Sequence, residues 1–264
     1  MDKSFSHQPR KRFGQHFLKD PSVLDKIMVA IAPQSSDHLV EIGPGQGALT
    51  RQLLSTANRL DAIELDRNLV ALLAHDFSQE KKLYLHESDA LIFDFKTLPV
   101  GTEPLRIVGN LPYNISTPLF FKLFAEASII QDMHFMLQKE VVDRVTATVG
   151  SPHYGRLSVM AQYFSENFPL FFVEPEAFSP PPQVNSAFIR MIPRKQRPSV
   201  DCLDTLSAVV REAFTYRRKT LKNSLKRFVS EQELKHLGID PNQRAQELTL
   251  DDFVKISNMV NSLS

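Results

Sequence analysis

Four short stretches of this 264-residue chain carry side chains suited to holding a nucleoside. The first is Asn110-Leu111-Pro112-Tyr113, which follows an apolar run at 105–108 and Gly109. Pro112 fixes its own φ and biases Leu111 toward an extended backbone. The turn therefore presents an amide side chain, backbone carbonyls that no strand partner consumes, and an aromatic face. A planar nitrogen base needs that set: acceptors for an exocyclic amine and a ring to stack on. The second is Gly43-Pro44-Gly45-Gln46-Gly47, a glycine-rich turn that lets a ligand approach the backbone. Gly43-x-Gly45-x-x-Ala48 also fits the dinucleotide pattern with alanine last. The third is Glu64, 21 positions after Gly43, where the ribose-binding carboxylate of a nucleotide site sits. The fourth is Asp89 in Ser88-Asp89-Ala90, placed either to accept from an amine or to cap a turn.

The elements around these stretches must bring them to one place. Apolar runs at 38–42, 61–66, 83–86 and 105–108 read as strands, each followed by a helical or turn segment. The alternation predicts an α/β fold, a Rossmann-like parallel sheet. Its four strands would then end on one edge carrying Gly43 and Gly45, Glu64, Asp89 and Asn110, and open α/β sheets bind ligands at that edge. Helices are expected from Pro21 to about Ala32, at 48–55, 117–125, 139–148 and 157–163, with a fifth strand at 133–137. Asp20-Pro21 is a good N-cap followed by proline at the first helical position. Runs at 168–173 and 187–192 read as an antiparallel pair around Phe178-Ser179-Pro180-Pro181-Pro182. Phe178 is either a core residue or a second aromatic wall for a flat ligand.

A basic, proline-bearing linker at 193–199 divides the chain into a catalytic domain, 1–193, and a small helical domain, 200–264. In the latter a helix is expected at 203–214 and another beginning at Tyr216, on which Arg218, Lys222 and Lys226 share a face. Ser230-x-x-Glu233 and Thr249-x-x-Asp252 read as capping boxes.

Global charge is balanced, with 31 Lys and Arg against 30 Asp and Glu. The balance is uneven along the chain. From Arg194 onward there are 13 basic and 9 acidic residues, a net of +4; the rest has 18 against 21, a net of −3. A basic C-terminal piece suits a polyanion partner. Arg10-Lys11-Arg12-Phe13 and Gln15-His16-Phe17-Leu18 mix basic and aromatic residues that can lie on phosphates or fold over a ligand. Cys202 is the only cysteine, which excludes an intrachain disulfide and suits a reducing compartment. The N-terminus has no apolar signal region, and the most apolar stretch, 119–130, is broken by Lys122 and Glu126. A cytoplasmic protein is expected, with no membrane segment and no metal, since the eight histidines show no ligand spacing.

Glu41-Ile42 with the glycines at 43–47 resembles motif I of S-adenosylmethionine-dependent methyltransferases. Asn110-Leu111-Pro112-Tyr113 resembles motif IV of enzymes that methylate adenine on its exocyclic nitrogen. Phe13 to Leu18, Asn110 to Ser116, Phe178 to Ser186 and Arg217-Arg218-Lys219-Thr220-Leu221 together resemble the small-subunit ribosomal RNA adenine dimethyltransferase family, the KsgA type. Gly238-Ile239-Asp240-Pro241 extends the resemblance nearly to the end of the chain. It implies a Rossmann-like methyltransferase domain with a small all-helical domain, and S-adenosyl-L-methionine as cofactor. It implies dimethylation of two adjacent adenosines near the 3′ end of 16S rRNA in a pre-30S particle; a monomer is expected. On that match His16, Leu18, Gly43, Glu64, Asp89 and Asn110 fall on cofactor-contacting positions, and Gly45 of the same glycine turn is expected to join them.

The residues suit the implied chemistry. The amino lone pair of adenine is delocalised into the ring, so the nitrogen needs geometry more than a strong base. Asn110 and the Leu111 or Pro112 carbonyl can accept its two hydrogens, with Tyr113 and Phe178 sandwiching the base. Arg10, Lys11, Arg12, Arg217, Arg218, Lys219 and Lys222 would hold RNA phosphates. Three rivals stand beside this reading. A 23S rRNA adenine methyltransferase of the related resistance family shares the core motifs, but Arg217 to Leu221 speaks against it. An NAD-dependent dehydrogenase leaves Asn110 to Tyr113 unexplained. A non-catalytic RNA-binding factor would not need Asn110, Glu64 and Asp89 intact.

Overall fold

The computed structural model describes residues 15–99, 103–112, 115–216 and 218–262. Its strands are β1 (Phe17–Leu18), β2 (His38–Ile42), β3 (Arg59–Glu64), β4 (Leu83–Glu87), β5 (Leu105–Asn110), β6 (Ile130–Gln138), β7 (Ser165–Val173), β8 (Phe178–Ser179) and β9 (Ser186–Pro193). Its helices are α1 (Pro21–Ile31), α2 (Ala48–Leu54), α3 (Arg67–Asp76), α4 (Ser116–Ala125), α5 (Lys139–Val145), α6 (Arg156–Phe164), α7 (Leu203–Thr215), α8 (Leu221–Ser224), α9 (Glu231–His236) and α10 (Leu250–Ser262). The α/β expectation holds. By contact density the chain forms two units, residues 1–142 with 168–193, and residues 143–167 with 194–264. Residues 143–167 thus group with the C-terminal helices, whereas the boundary expected from the linker placed them in the first domain.

The first unit is built on a seven-stranded sheet in the order β4-β3-β2-β5-β6-β9-β7. The β4-β3, β3-β2, β2-β5 and β5-β6 pairs are parallel, and β9 runs antiparallel to β6. The run His38–Ile42 is buried at every position, as a central parallel strand covered on both faces must be. Chain order reverses at β2, where β3 lies on one side and β5 on the other. That is the topological switch point at which such sheets bind ligands. The register Ile42↔Ile63 and Ile42↔Gly109 brings Gly43, Glu64 and Asn110 into one row.

At the opposite end of the strands, Arg106 is 5% exposed and its charge is fully partnered. It donates to Asp132 and Asp37 at 2.9 and 2.6 Å and to the Ile31 carbonyl at 2.7 Å. This ties β5, β6 and the end of α1 together away from the ligand edge. α1 begins as expected: Asp20 accepts from the Ser22 and Val23 amides.

The C-terminal unit packs α7 against α6 and α10. The Tyr154 hydroxyl donates to the Leu248 carbonyl at 2.9 Å, and Phe214 meets the Tyr154 and Phe253 rings. Both capping boxes form: Ser230 pairs with Glu233, and Thr249 with Asp252. The long helix expected from Tyr216 does not. Thr220 adopts an extended N-cap conformation, and α8 runs only four residues from Leu221. The Leu221 and Lys222 amides donate to the Gln243 and Pro241 carbonyls, so this stretch is tied to a neighbouring loop instead of to a preceding helical turn. Arg218, Lys222 and Lys226 therefore share no helical face; Arg218 precedes the cap and Lys226 follows α8.

Candidate active site

A cavity opens at the carboxyl ends of β2, β3, β4 and β5, lined by Gly43, Gly45, Glu64, Ser88, Asp89, Asn110, Leu111 and Pro112. Gln15, His16 and Phe17 close one side, and Ile63, Leu65, Leu69 and Ile115 supply apolar walls. The sheet thus brings together six of the seven residues expected at a cofactor. Leu18 is the exception: it is buried and lines a smaller adjoining cavity with Glu41, Pro44 and Gln46.

The glycine turn is shaped for close approach. Gly43 and Gly45 have φ of 70° and 58°, in the left-handed region. A Cβ on Gly45 would come within 2.9 Å of the Phe17 ring, so the turn and the N-terminal arm touch through the missing side chain. Glu64 is 7% exposed. Its carboxylate accepts the Gly45 amide at 3.2 Å and the Asp66 amide at 2.9 Å. Burial pushes its pKa up, against the lowering effect of those amides. Asp89 spends one oxygen on the Leu91 amide at 2.9 Å, a turn cap, and still faces the cavity.

Asn110 ends β5 and lies at the mouth. Its Nδ2 donates to the His16 carbonyl at 2.9 Å. A carbonyl can only accept, so this contact fixes which end of the amide is nitrogen and turns Oδ1 away from the arm. His16 is itself held: its Nδ1 donates to the Pro180 carbonyl at 2.7 Å. Alongside, β1 pairs antiparallel with β8, Phe17 opposite Ser179 and Leu18 opposite Phe178. The Pro112 carbonyl accepts the Ile115 amide at 3.2 Å, closing the turn that leads into α4. Leu111 is anchored by its own amide, which donates to the Met136 carbonyl at 3.1 Å.

Phe178, too, is placed outside the cavity. Phe178 is 1% exposed and belongs to the core cluster with Leu18, Val173 and Phe188. The pairing of β8 with β1 covers it, so it is a core ring and not an open wall. Tyr113, Arg10, Lys11, Arg12 and Arg217 lie outside the described residues. Arg218 and Lys219 are exposed and Lys222 is half-buried, all in the C-terminal unit.

Two features escaped the sequence. Leu65, 51% exposed, and Ile115 present apolar surface to the cavity. Glu41 is 2% exposed in the middle of the sheet and accepts from the Thr50 hydroxyl at 2.7 Å. Burial, with a smaller push from Glu64, raises its pKa to about 7. An acid inside a strand between apolar neighbours was the available signal.

The donor set fits a nucleoside cofactor: backbone amides at a glycine turn, a carboxylate on the second strand, another on the third, and apolar walls between. Among the described residues no group of three His, Cys, Asp or Glu could hold a metal ion, and no helix is long and apolar enough to cross a membrane.

Comparison with known proteins agrees. A family model described as ribosomal RNA adenine dimethylase matches residues 6–262. A protein of Coxiella burnetii (strain RSA 493 / Nine Mile phase I) named ribosomal RNA small subunit methyltransferase A is 58% identical over 253 residues, covering 96% of this chain and 98% of its own. One of the same name from Methylococcus capsulatus is 54% identical over 97% of this chain and 99% of its own. Among solved structures, a dimethyladenosine transferase from Plasmodium falciparum superposes with a TM-score of 0.81 at 28% identity, over 94% of this chain and 98% of that one. The 23S rRNA methyltransferase ErmE shares the fold at a TM-score of 0.71 and 24% identity, over 93% of this chain and 99% of that one. The expected Rossmann-like methyltransferase fold and the expected S-adenosylmethionine cofactor both stand. The chain belongs to the ribosomal RNA adenine dimethylase family.

Proposed function

We propose that the protein transfers methyl groups from S-adenosylmethionine to N6 of two adjacent adenosines near the 3′ end of 16S rRNA, in a pre-30S particle, giving N6,N6-dimethyladenosines. The observation that carries this is the Asn110 amide at the cavity mouth, its nitrogen held by His16 so that its oxygen is left to accept from an adenine amine. Glu64 accepts from the ribose hydroxyls of the cofactor and Asp89 from its adenine amine; His16, Gly43 and Gly45 complete its binding site, with Leu18 in the smaller cavity beside them. Bound S-adenosylmethionine supplies an electrophilic methyl.

The protein contributes position. Asn110 Oδ1 accepts one amine hydrogen of the target base. The Leu111 carbonyl accepts the other, since that of Pro112 already takes the Ile115 amide. This turns the nitrogen lone pair toward the methyl, an effect on the order of several kcal/mol. Tyr113 stacks on the extruded base. Arg10, Lys11, Arg12, Arg217, Arg218, Lys219 and Lys222 grip RNA phosphates around it. The protein acts as a cytoplasmic monomer.

The test offers labelled S-adenosylmethionine with unmethylated small subunits and, separately, large subunits. Label recovered as dimethyladenosine in 16S rRNA supports the proposal. Label confined to 23S rRNA supports the related resistance-type activity and overturns it.

A further inference from the structure

The most basic stretch of the C-terminal unit also carries an exposed aromatic ring. Between Ala213 and Ser230 there are six Lys and Arg and no Asp or Glu. Within it α7 ends at Thr215, and Tyr216 leaves the helix with φ −125° and ψ 81°. The Lys219 amide donates back to the Tyr216 carbonyl at 2.9 Å, closing a turn. That turn sets the Lys219 ammonium 4.1 Å from the centroid of the Tyr216 ring.

The ring does nothing for the core. The buried stripe of α7 is Leu206, Val209, Val210 and Ala213, and it stops one residue before Phe214, which packs inward on Tyr154 and Phe253. Tyr216 is 52% exposed, and its hydroxyl makes no hydrogen bond among the described residues. An exposed ring carrying a cation, in a stretch without one carboxylate, has the chemistry of a platform for single-stranded nucleic acid. Aromatic faces stack bases of any sequence while neighbouring cations follow the phosphates. A protein partner would be steered here by acidic side chains, but it would give no reason for a flat, cation-capped ring.

We propose that Tyr216, capped by Lys219, stacks an unpaired nucleotide of the ribosomal RNA, so that the C-terminal unit reads a flipped-out base as well as phosphates. This rests on the reading of the unit as an RNA grip. It adds a contact whose energy does not come from counterion release, and the two kinds of contact separate by salt.

The experiment is filter binding of the full chain to unmethylated small subunits across a salt series, for wild type, Tyr216→Ala, Tyr216→Phe and Lys219→Gln. The expected result for Tyr216→Ala is a loss of about fivefold to a hundredfold at every salt concentration, with the log–log slope unchanged. Tyr216→Phe should bind like wild type. Lys219→Gln should flatten the slope by about 0.7 to 0.9. Tyr216→Ala with wild-type affinity, or a loss that Tyr216→Phe shares, overturns the stacking role and leaves the phosphate grip standing. A wild-type slope near zero overturns the grip itself. S-adenosylmethionine affinity and Tm serve as the fold control, and both should match wild type in all three variants.

Discussion

The Asn110 side-chain amide donates to the backbone carbonyl of His16 at 2.9 Å. One hydrogen bond thus joins the N-terminal arm to the turn that lines the cavity. The arm is held a second time by His16 Nδ1 on Pro180, and a third by the pairing of Phe17 and Leu18 with Ser179 and Phe178. The arm, the proline loop and the Asn110 turn form one support.

That support has a readable consequence. Asn110→Asp keeps an acceptor oxygen but has no N–H for His16, and places a carboxylate against a carbonyl. Hydrogen exchange followed by mass spectrometry should show faster exchange across 15–19 in Asn110→Asp than in wild type. Equal protection would mean that the β1–β8 pairing holds the arm unaided.

Glu64 should matter to the cofactor directly. Replacing it with alanine removes a charged acceptor and should weaken S-adenosylmethionine binding in calorimetry by roughly 1–3 kcal/mol. Because burial raises the Glu64 pKa, wild-type affinity should also begin to fall at a higher pH than an ordinary carboxylate would dictate. Unchanged affinity in the variant would remove Glu64 from the binding site.

Glu41 should contribute a pH-dependent part of stability, opposed by the buried His134, whose pKa burial lowers to about 4. Its pKa is raised from 4.5 to about 7 in the folded chain. Between those values the unfolded chain has lost a proton that the folded chain keeps, so stability falls as pH rises through this window. The gap corresponds to about 3 kcal/mol at most. Glu41→Gln keeps an acceptor for Thr50 and cannot ionise, so in urea melts from pH 4.5 to 8 the stability of the variant relative to wild type should rise with pH. A difference that does not change with pH would assign the titration to another group.

Gly109 has a packing reason to be glycine. A Cβ there would lie 2.5 Å from the Ile42 carbonyl oxygen, at the carboxyl end of the β2–β5 pair. Gly109→Ala should cost about 1–3 kcal/mol through forced separation of the strands, read as a lower Tm. A Tm within a degree of wild type would show that the pair gives way freely.

Much of this was legible in the residues. Parallel strands read as apolar runs, fully buried in β2 and half-exposed at the edge in β4, so β2 to β6 and the ends that line the cavity were visible, as were the caps at Asp20, Ser230 and Thr249. What stayed hidden depends on contacts distant in sequence. Nothing local marks Phe17-Leu18 as a strand, because its partner is Phe178-Ser179. The same pairing buries Phe178, which from sequence alone could equally have been an open wall. Basic residues after Tyr216 have good helix propensity, but the Gln243 and Pro241 carbonyls capture the Leu221 and Lys222 amides and stop the helix short. Glu41 was read as one more strand position, since only the folded sheet reveals that it is sealed from water.

The central claim is that Asn110 positions the amine of the target base. Single-turnover methyl transfer from labelled S-adenosylmethionine to unmethylated small subunits tests it most directly, with Asn110→Ala beside wild type. The expected result is a loss of about a hundredfold to a thousandfold in the rate of the chemical step, with subunit affinity by filter binding within a few-fold of wild type. A variant that transfers methyl at close to the wild-type rate would contradict the account.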